Sequence, residues 1–168
     1  MVRLCIILFL FLTTTCFSST HLIMPKDSIQ KDSLLNFCKK HLGSNYNYAS
    51  CDPSSGFDCS GFVYYVFTHF KVKVPRSSSE FDKVGKTIPS DSARVGDVIV
   101  FTGTNAKKRS PGHVGIVISN PGEELQFIHS SSSKKHSGVK ISSYKESPYY
   151  KVRFLKIVRV ATIYNKTK

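Results

Sequence analysis

Closely spaced cysteine pairs are missing from this chain. Its five cysteines in 168 residues include no C-x-x-C, which leaves out the usual structural zinc site. They are also too sparse for a dense disulfide framework. Acidic residues are scarce: 11 Asp and Glu stand against 24 Lys and Arg, a net charge of +13. Such a chain is drawn to polyanions. Its basic residues are spread out rather than grouped with aromatics, which argues against nucleic acid as the partner. KKR at 107–109 and KK at 134–135 read as solvated loop charges. No internal repeat and no low-complexity segment is present, and the length fits one domain.

Long apolar runs are also missing, except at the start. Arg3 precedes an unbroken apolar stretch from Leu4 to Leu12, and small polar residues follow. This is the layout of a secretory signal over residues 1–18. Nine helical residues span about 14 Å, short of the roughly 30 Å hydrocarbon core, so the segment does not serve as a spanning helix. Cys16 stands where a bacterial lipoprotein would be cleaved and acylated. Thr13 and Thr15 occupy the places usually held by Leu and by Gly, Ala or Ser. Two readings stay open: a lipid anchor at Cys16, or plain cleavage near Ser18 or Ser19. Either one sends the protein to the cell envelope, as a periplasmic, lipid-anchored or secreted chain. There an anionic envelope surface or wall polymer suits its charge.

Residues 19–27 read as a polar tether, and 28–168 as the folded domain. SIQKDSLLNFCKKHL (28–42) predicts an amphipathic helix capped by Ser28 and closed by Gly43. A second, largely buried helix is expected from Cys59 to Phe70. SSSE at 77–80 reads as a capping box opening a short helix that ends near Gly85. Strands are expected at 97–103, 113–119, 125–130, 138–142 and 152–163, separated by turn signals such as Asn120-Pro121-Gly122. Helices first and strands after imply an α+β domain with an antiparallel sheet.

The chemistry centres on GFDCSGFVYY at 56–65. Cys59 sits at the expected start of the second helix, where unsatisfied N–H groups and the helix dipole favour a thiolate. A thiol nucleophile needs a base, and the base needs an orienting partner. His21 lies in the tether, His41 and His69 end helices, and His136 lies in a Ser/Lys loop. His113 and His129 remain, each on a strand. Small Gly115, two residues after His113, leaves room beside the imidazole. If the two strands are neighbours, one imidazole can take the thiol proton while the other orients it. Cys51, Cys59, His113 and His129 lack metal-site spacing, so no metal or cofactor is expected. Cys38 and Cys51 either pair as a disulfide or stand as a buried small residue and a loop thiol. Asp58 reads as a helix N-cap, and Tyr48 as a packing residue.

These stretches together resemble the NlpC/P60 cell-wall endopeptidases, over roughly 34–160. GFDCSGFVYYVF (56–67) is similar to the family's nucleophile motif, and VPRSSSEF (74–81) to the segment after the nucleophile helix. RVGDVIVF (94–101) resembles the Gly-Asp strand, GHVGIVIS (112–119) the base-histidine strand, and FIHSSSSKKHSGVKIS (127–142) the segment of the third polar residue. All five follow the family's order. The resemblance implies a papain-like α+β fold that hydrolyses amide bonds in peptidoglycan stem peptides. It implies Cys59 as nucleophile, His113 as base and His129 as orienting residue. Tyr46, Asp58 and Ser60 match positions beside the nucleophile that help bind the peptide. The family often has two glycines after the tyrosine segment; here Ala49 and Ser50 stand there. Two other readings keep the fold. One is a Cys-His amidase or acyltransferase acting on another amide or ester, which muropeptide products would separate. The other is a non-catalytic envelope-binding module, which a thiol-reactive probe would separate.

Overall fold

The computed structural model describes residues 28–165. The expected signal, Cys16 and the tether lie outside the described residues. The chain forms β1 (Ser28–Gln30), α1 (Lys31–Lys40), β2 (Cys51–Asp52), β3 (Gly56–Phe57), α2 (Cys59–His69), β4 (Lys86–Ile88), β5 (Val98–Thr102), β6 (Pro111–Val117), β7 (Gln126–Ser131), β8 (Gly138–Ser143), α3 (Pro148–Lys151), β9 (Phe154–Arg159) and β10 (Thr162–Tyr164). The main sheet has six strands in the order β4-β9-β5-β6-β7-β8, and each neighbouring pair in it is antiparallel. The α+β class read from the sequence is the class the chain adopts.

Helix α2 covers one face of this sheet. Phe62, Val63, Val66 and Phe67 are fully buried with Val98, Val100, Val114, Ile116 and Ile128 from the strands. Burying a Val or Phe side chain contributes about 1.5–3 kcal/mol, so this layer fixes where the start of α2 meets β6. The opposite face carries a second cluster that includes Ile99, Phe101, Val117, Phe127, Tyr150 and Ile157. His113 and His129 lie on this second side: the His113 ring is 6.0 Å from that of Phe101 and the His129 ring 4.9 Å from that of Phe127.

Four local expectations are corrected. Helix α1 starts at Lys31, not Ser28, because Ser28–Gln30 pairs in parallel with Thr162–Tyr164. Gln30 is its cap, with Oε1 accepting from the Ser33 N–H at 2.6 Å. The SSSE box forms only one 3-10 turn, Ser78–Glu80, without a side-chain cap. The Ser77 hydroxyl hydrogen-bonds that of Ser79 at 2.8 Å instead, a local competition typical of serine clusters. The strand expected over 152–163 is split: β9 pairs with β4 and β5, and β10 leaves to join β1. Tyr48 is 83% exposed and packs on nothing large.

Candidate active site

Asp58 caps α2, its Oδ1 accepting from the Gly61 N–H at 2.6 Å. The same oxygen accepts from the Ser60 hydroxyl and from Arg76 Nη1, both at 3.1 Å, and Oδ2 accepts from Arg76 Nη2 at 2.7 Å. Arg76 Nη1 also reaches Ser60 Oγ at 3.3 Å. Asp58 and Ser60 are buried, so a carboxylate sits there only because the guanidinium and the helix N–H share its charge. Gly61 is required by space: a Cβ there would collide with the Ser50 carbonyl oxygen. The motif DCSG thus seals the start of the helix against the 45–50 loop and leaves Cys59 at the first helical position.

The sulfur meets β6 at the ends of residues 112–114. Cys59 Sγ is 4.0 Å from the Gly112 carbonyl oxygen, and the Val114 N–H also favours the thiolate. This edge of β6 is open because its ladder with β7 registers Ile116 to Ile128 and Val117 to Phe127 and stops before Val114. The start of α2 fills the gap, against the backbone on either side of His113.

Where the backbone ladder stops, side chains continue it. His113 Nε2 lies 3.0 Å from His129 Nδ1, the two rings at 88° to one another. Gly115 permits this approach, since a Cβ would stand 2.8 Å from the Phe127 ring and 3.1 Å from His129 Cβ. His129 is fully buried, and its Nε2 lies 3.0 Å from Ser142 Oγ and 3.3 Å from the Tyr150 hydroxyl. For His113 Nδ1 to accept a proton, its own proton must sit on Nε2 and be donated to His129 Nδ1. His129 must then carry its proton on Nε2, where the oxygens of Ser142 and Tyr150 accept it. Ser130, next in the chain, donates to the Phe57 carbonyl at 2.6 Å and ties β7 to the segment leading into Cys59.

The expected lowering of the thiol pKa is reversed. Burial pushes Cys59 above its ordinary value, and the Asp58 charge adds to this; the N–H groups of Val114, Ser60 and Cys59 itself offset only part. Burial, with the charges of Arg153 and Lys140, lowers His113 to about 4. Burial and the charge of His113 hold His129 well below its ordinary value. Burial thus works against a charge on either the thiol or the imidazole. Tyr46 approaches the same spot: its phenol is raised by burial first and then by the neighbouring Cys59 and Asp58. Ala49, in the place of a family glycine, has φ +58°, so the loop keeps a left-handed turn with a residue that favours it poorly.

The structure thus brings Tyr46, Asp58, Ser60, Cys59, His113 and His129 into one region. The sequence reading missed three contributors. Ser142 and Tyr150 came without a local signal, since their meeting with His129 depends on strand pairing and on α3. Arg76 was visible in VPRSSSEF but had no assigned contact. The three cysteines of the described residues are unpaired, and Cys38 is buried with its thiol raised to about 12.

Among known proteins, the murein DD-endopeptidase/murein LD-carboxypeptidase MepS of Escherichia coli (strain K12) is 41% identical over 106 residues, 62% of this chain and 50% of that protein. Gamma-DL-glutamyl hydrolase of Bacillus subtilis (strain 168) is 30% identical over 128 residues, 76% of this chain and 29% of that protein. An NlpC/P60 family protein from Bacillus cereus ATCC 10987 has a crystal structure similar at a TM-score of 0.67 and 29% identity, over 78% of this chain and 40% of that one. The chain spans half or less of the length of these relatives. The pattern of the NlpC/P60 family matches residues 43–159, and the chain belongs to that family.

Proposed function

We propose that this domain is a cysteine peptidase that hydrolyses amide bonds in peptidoglycan stem peptides. The observation that carries this is the pair of half-buried His113 and fully buried His129, 3.0 Å apart, next to the strand edge that holds the Cys59 thiol. One of the relatives named above, a murein endopeptidase and carboxypeptidase, supports the substrate class.

In this mechanism Cys59 Sγ attacks the scissile carbonyl carbon while its proton passes to His113 Nδ1. The Cys59 N–H at the first helical position donates to the developing oxyanion. Collapse of the tetrahedral species breaks the C–N bond, and His113 returns the proton to the leaving amine. The acyl group stays on sulfur as a thioester. Water then attacks with His113 again as base, and the thiolate leaves and is reprotonated. Because burial disfavours the charged form of both groups, proton transfer accompanies attack in this mechanism. His129 orients His113 without itself being charged. Tyr46, Asp58 and Ser60 hold the acyl-side peptide beside the thiol, Asp58 also serving as cap. The reaction draws only on these side chains and water. An exported or envelope-anchored location, with Cys16 lipidated or removed, places the domain next to this substrate.

The test is acid quenching of a stem-peptide reaction within milliseconds, with mass spectrometry of the intact protein and its digest. The expected species carries the acyl fragment on the peptide containing Cys59. An acyl group on another residue, or cleavage that leaves wild-type and Cys59→Ala protein equally active, overturns the reading.

A further inference from the structure

One cavity is not used by the mechanism above. It has a volume of about 440 Å³, and its walls include His113, Lys140, Arg153, Tyr149, Ser131 and Thr104. Gly112, whose carbonyl faces the Cys59 sulfur, is also a wall, so the cavity borders the strand segment that meets the thiol, although Cys59 itself is not a wall. Tyr46, Asp58 and Ser60 are not among its walls, and neither is any Asp or Glu. Two cations and several hydroxyls therefore face a space with no acid of its own. The ion pairs of the described residues, Arg76–Asp58 and Arg159–Asp97, involve neither cation. Lys140 pairs directly with His129 across β7 and β8, so its side chain rises on the same face as the two imidazoles. Arg153 is fixed in place: it donates to the Gly103 and Thr104 carbonyls and lies 4.1 Å over the Tyr149 ring.

Chemistry assigns the side. His113 must protonate the leaving amine, so the leaving fragment has to lie against His113. The acyl portion lies toward Tyr46 and Asp58. Stem-peptide fragments that leave with a free amine also carry a carboxylate.

We propose that this cavity is the subsite for the carboxylate of the leaving fragment, with Lys140 as its principal partner and Arg153 and the wall hydroxyls completing the binding. The proposal rests on the amide-hydrolysing reading of the site. An anion here also acts on catalysis, because the Lys140 charge is one of those that depress both imidazoles. A carboxylate beside Lys140 offsets that charge as substrate arrives.

The test reads binding without turnover. Cys59→Ala protein is titrated by NMR with L-alanyl-D-alanine, with its C-terminal carboxamide, and with inorganic phosphate at matched ionic strength. The acid is expected to bind about tenfold more tightly than the amide, as a charge-assisted hydrogen bond provides, and more tightly than phosphate, with shifts at Gly112, His113 and Lys140. In Cys59→Ala/Lys140→Met the acid and the amide should bind within about twofold of each other, while Lys140→Arg in its place keeps the preference. Equal binding of acid and amide to Cys59→Ala overturns the subsite, as does an unchanged preference after Lys140→Met or phosphate binding as tightly as the acid. A protein that cleaves peptidoglycan yet shows no preference loses the subsite alone. One that prefers the acid but cleaves nothing keeps the carboxylate site and loses the catalytic reading, and with it the assignment to a leaving fragment.

Discussion

His113 Nε2 and His129 Nδ1 lie 3.0 Å apart at the point where the β6–β7 ladder ends. Side-chain hydrogen bonding takes over there from backbone pairing, and the start of α2 meets β6 at the same point. The end of the ladder thus lies where the Cys59 thiol meets β6 and where His129 holds the His113 ring. The two histidines are not equivalent, and substitution should show it. His113→Ala should lower the cleavage rate by about 10²–10⁴, the range of a lost acid–base group. His129→Asn can still accept the His113 N–H and should retain clearly more activity than His129→Ala, with both above His113→Ala. Initial rates on a synthetic stem peptide at saturating substrate measure this, with folding checked by circular dichroism. If His113→Ala were the mildest of the three, base and orienting residue would be exchanged.

Ser142 and Tyr150 should act through His129 alone. Both oxygens lie within hydrogen-bond distance of its Nε2 and hold the proton there. A hydrogen bond of this kind is worth about 0.5–1.5 kcal/mol, so losing both costs roughly 10–100-fold. Ser142→Ala combined with Tyr150→Phe should lower kcat by a factor in that range and leave KM nearly unchanged. A rise in KM with unaltered kcat would point to substrate contact instead.

Acid should destabilise the fold through the same pair. His113 falls to about 4 from 6.5, and His129 is also lowered. Between those values the unfolded chain binds more protons than the folded one, so stability is full above about pH 6.5 and falls as pH drops toward 4. Urea midpoints from pH 7.5 to 4 should decline, and His129→Asn, which removes the fully buried imidazole of the two, should flatten the decline. A decline of equal size in that variant would assign the effect to other groups.

The Tyr46 loop offers a stabilising change. Ala49 at φ +58° holds a conformation that costs about 1–2 kcal/mol without a glycine. Ala49→Gly should recover about 1 kcal/mol after the added freedom of the unfolded chain is counted. A rise in thermal midpoint with unchanged activity is expected. A fall would mean the turn is not strained.

The legible parts of this protein are those written in short stretches. Asp58, Cys59 and Gly61 form a helix start whose cap, thiol and close packing all lie within four residues, so this stretch, taken with the ordered segments after it, was legible as the candidate site. His113 and His129 were legible because strand periodicity puts each on a defined face, and Gly115 marked the close approach. Ser142, Tyr150 and the Lys140 cavity were not legible, since their places follow from the β7–β8 register and from α3. The thiol pKa was misread for a related reason. Helix position is local, but burial under the sheet edge is not, and burial is the larger effect at Cys59. The split of 152–163 likewise depended on β1, more than a hundred residues away in sequence.

The most direct measurement is digestion of purified peptidoglycan with wild-type protein and with Cys59→Ala, the released fragments being weighed by mass spectrometry. Wild-type protein should release fragments whose masses correspond to the addition of one water across a stem-peptide amide bond, and Cys59→Ala should release none. The same fragments from Cys59→Ala, or none from folded wild-type protein, would contradict the account.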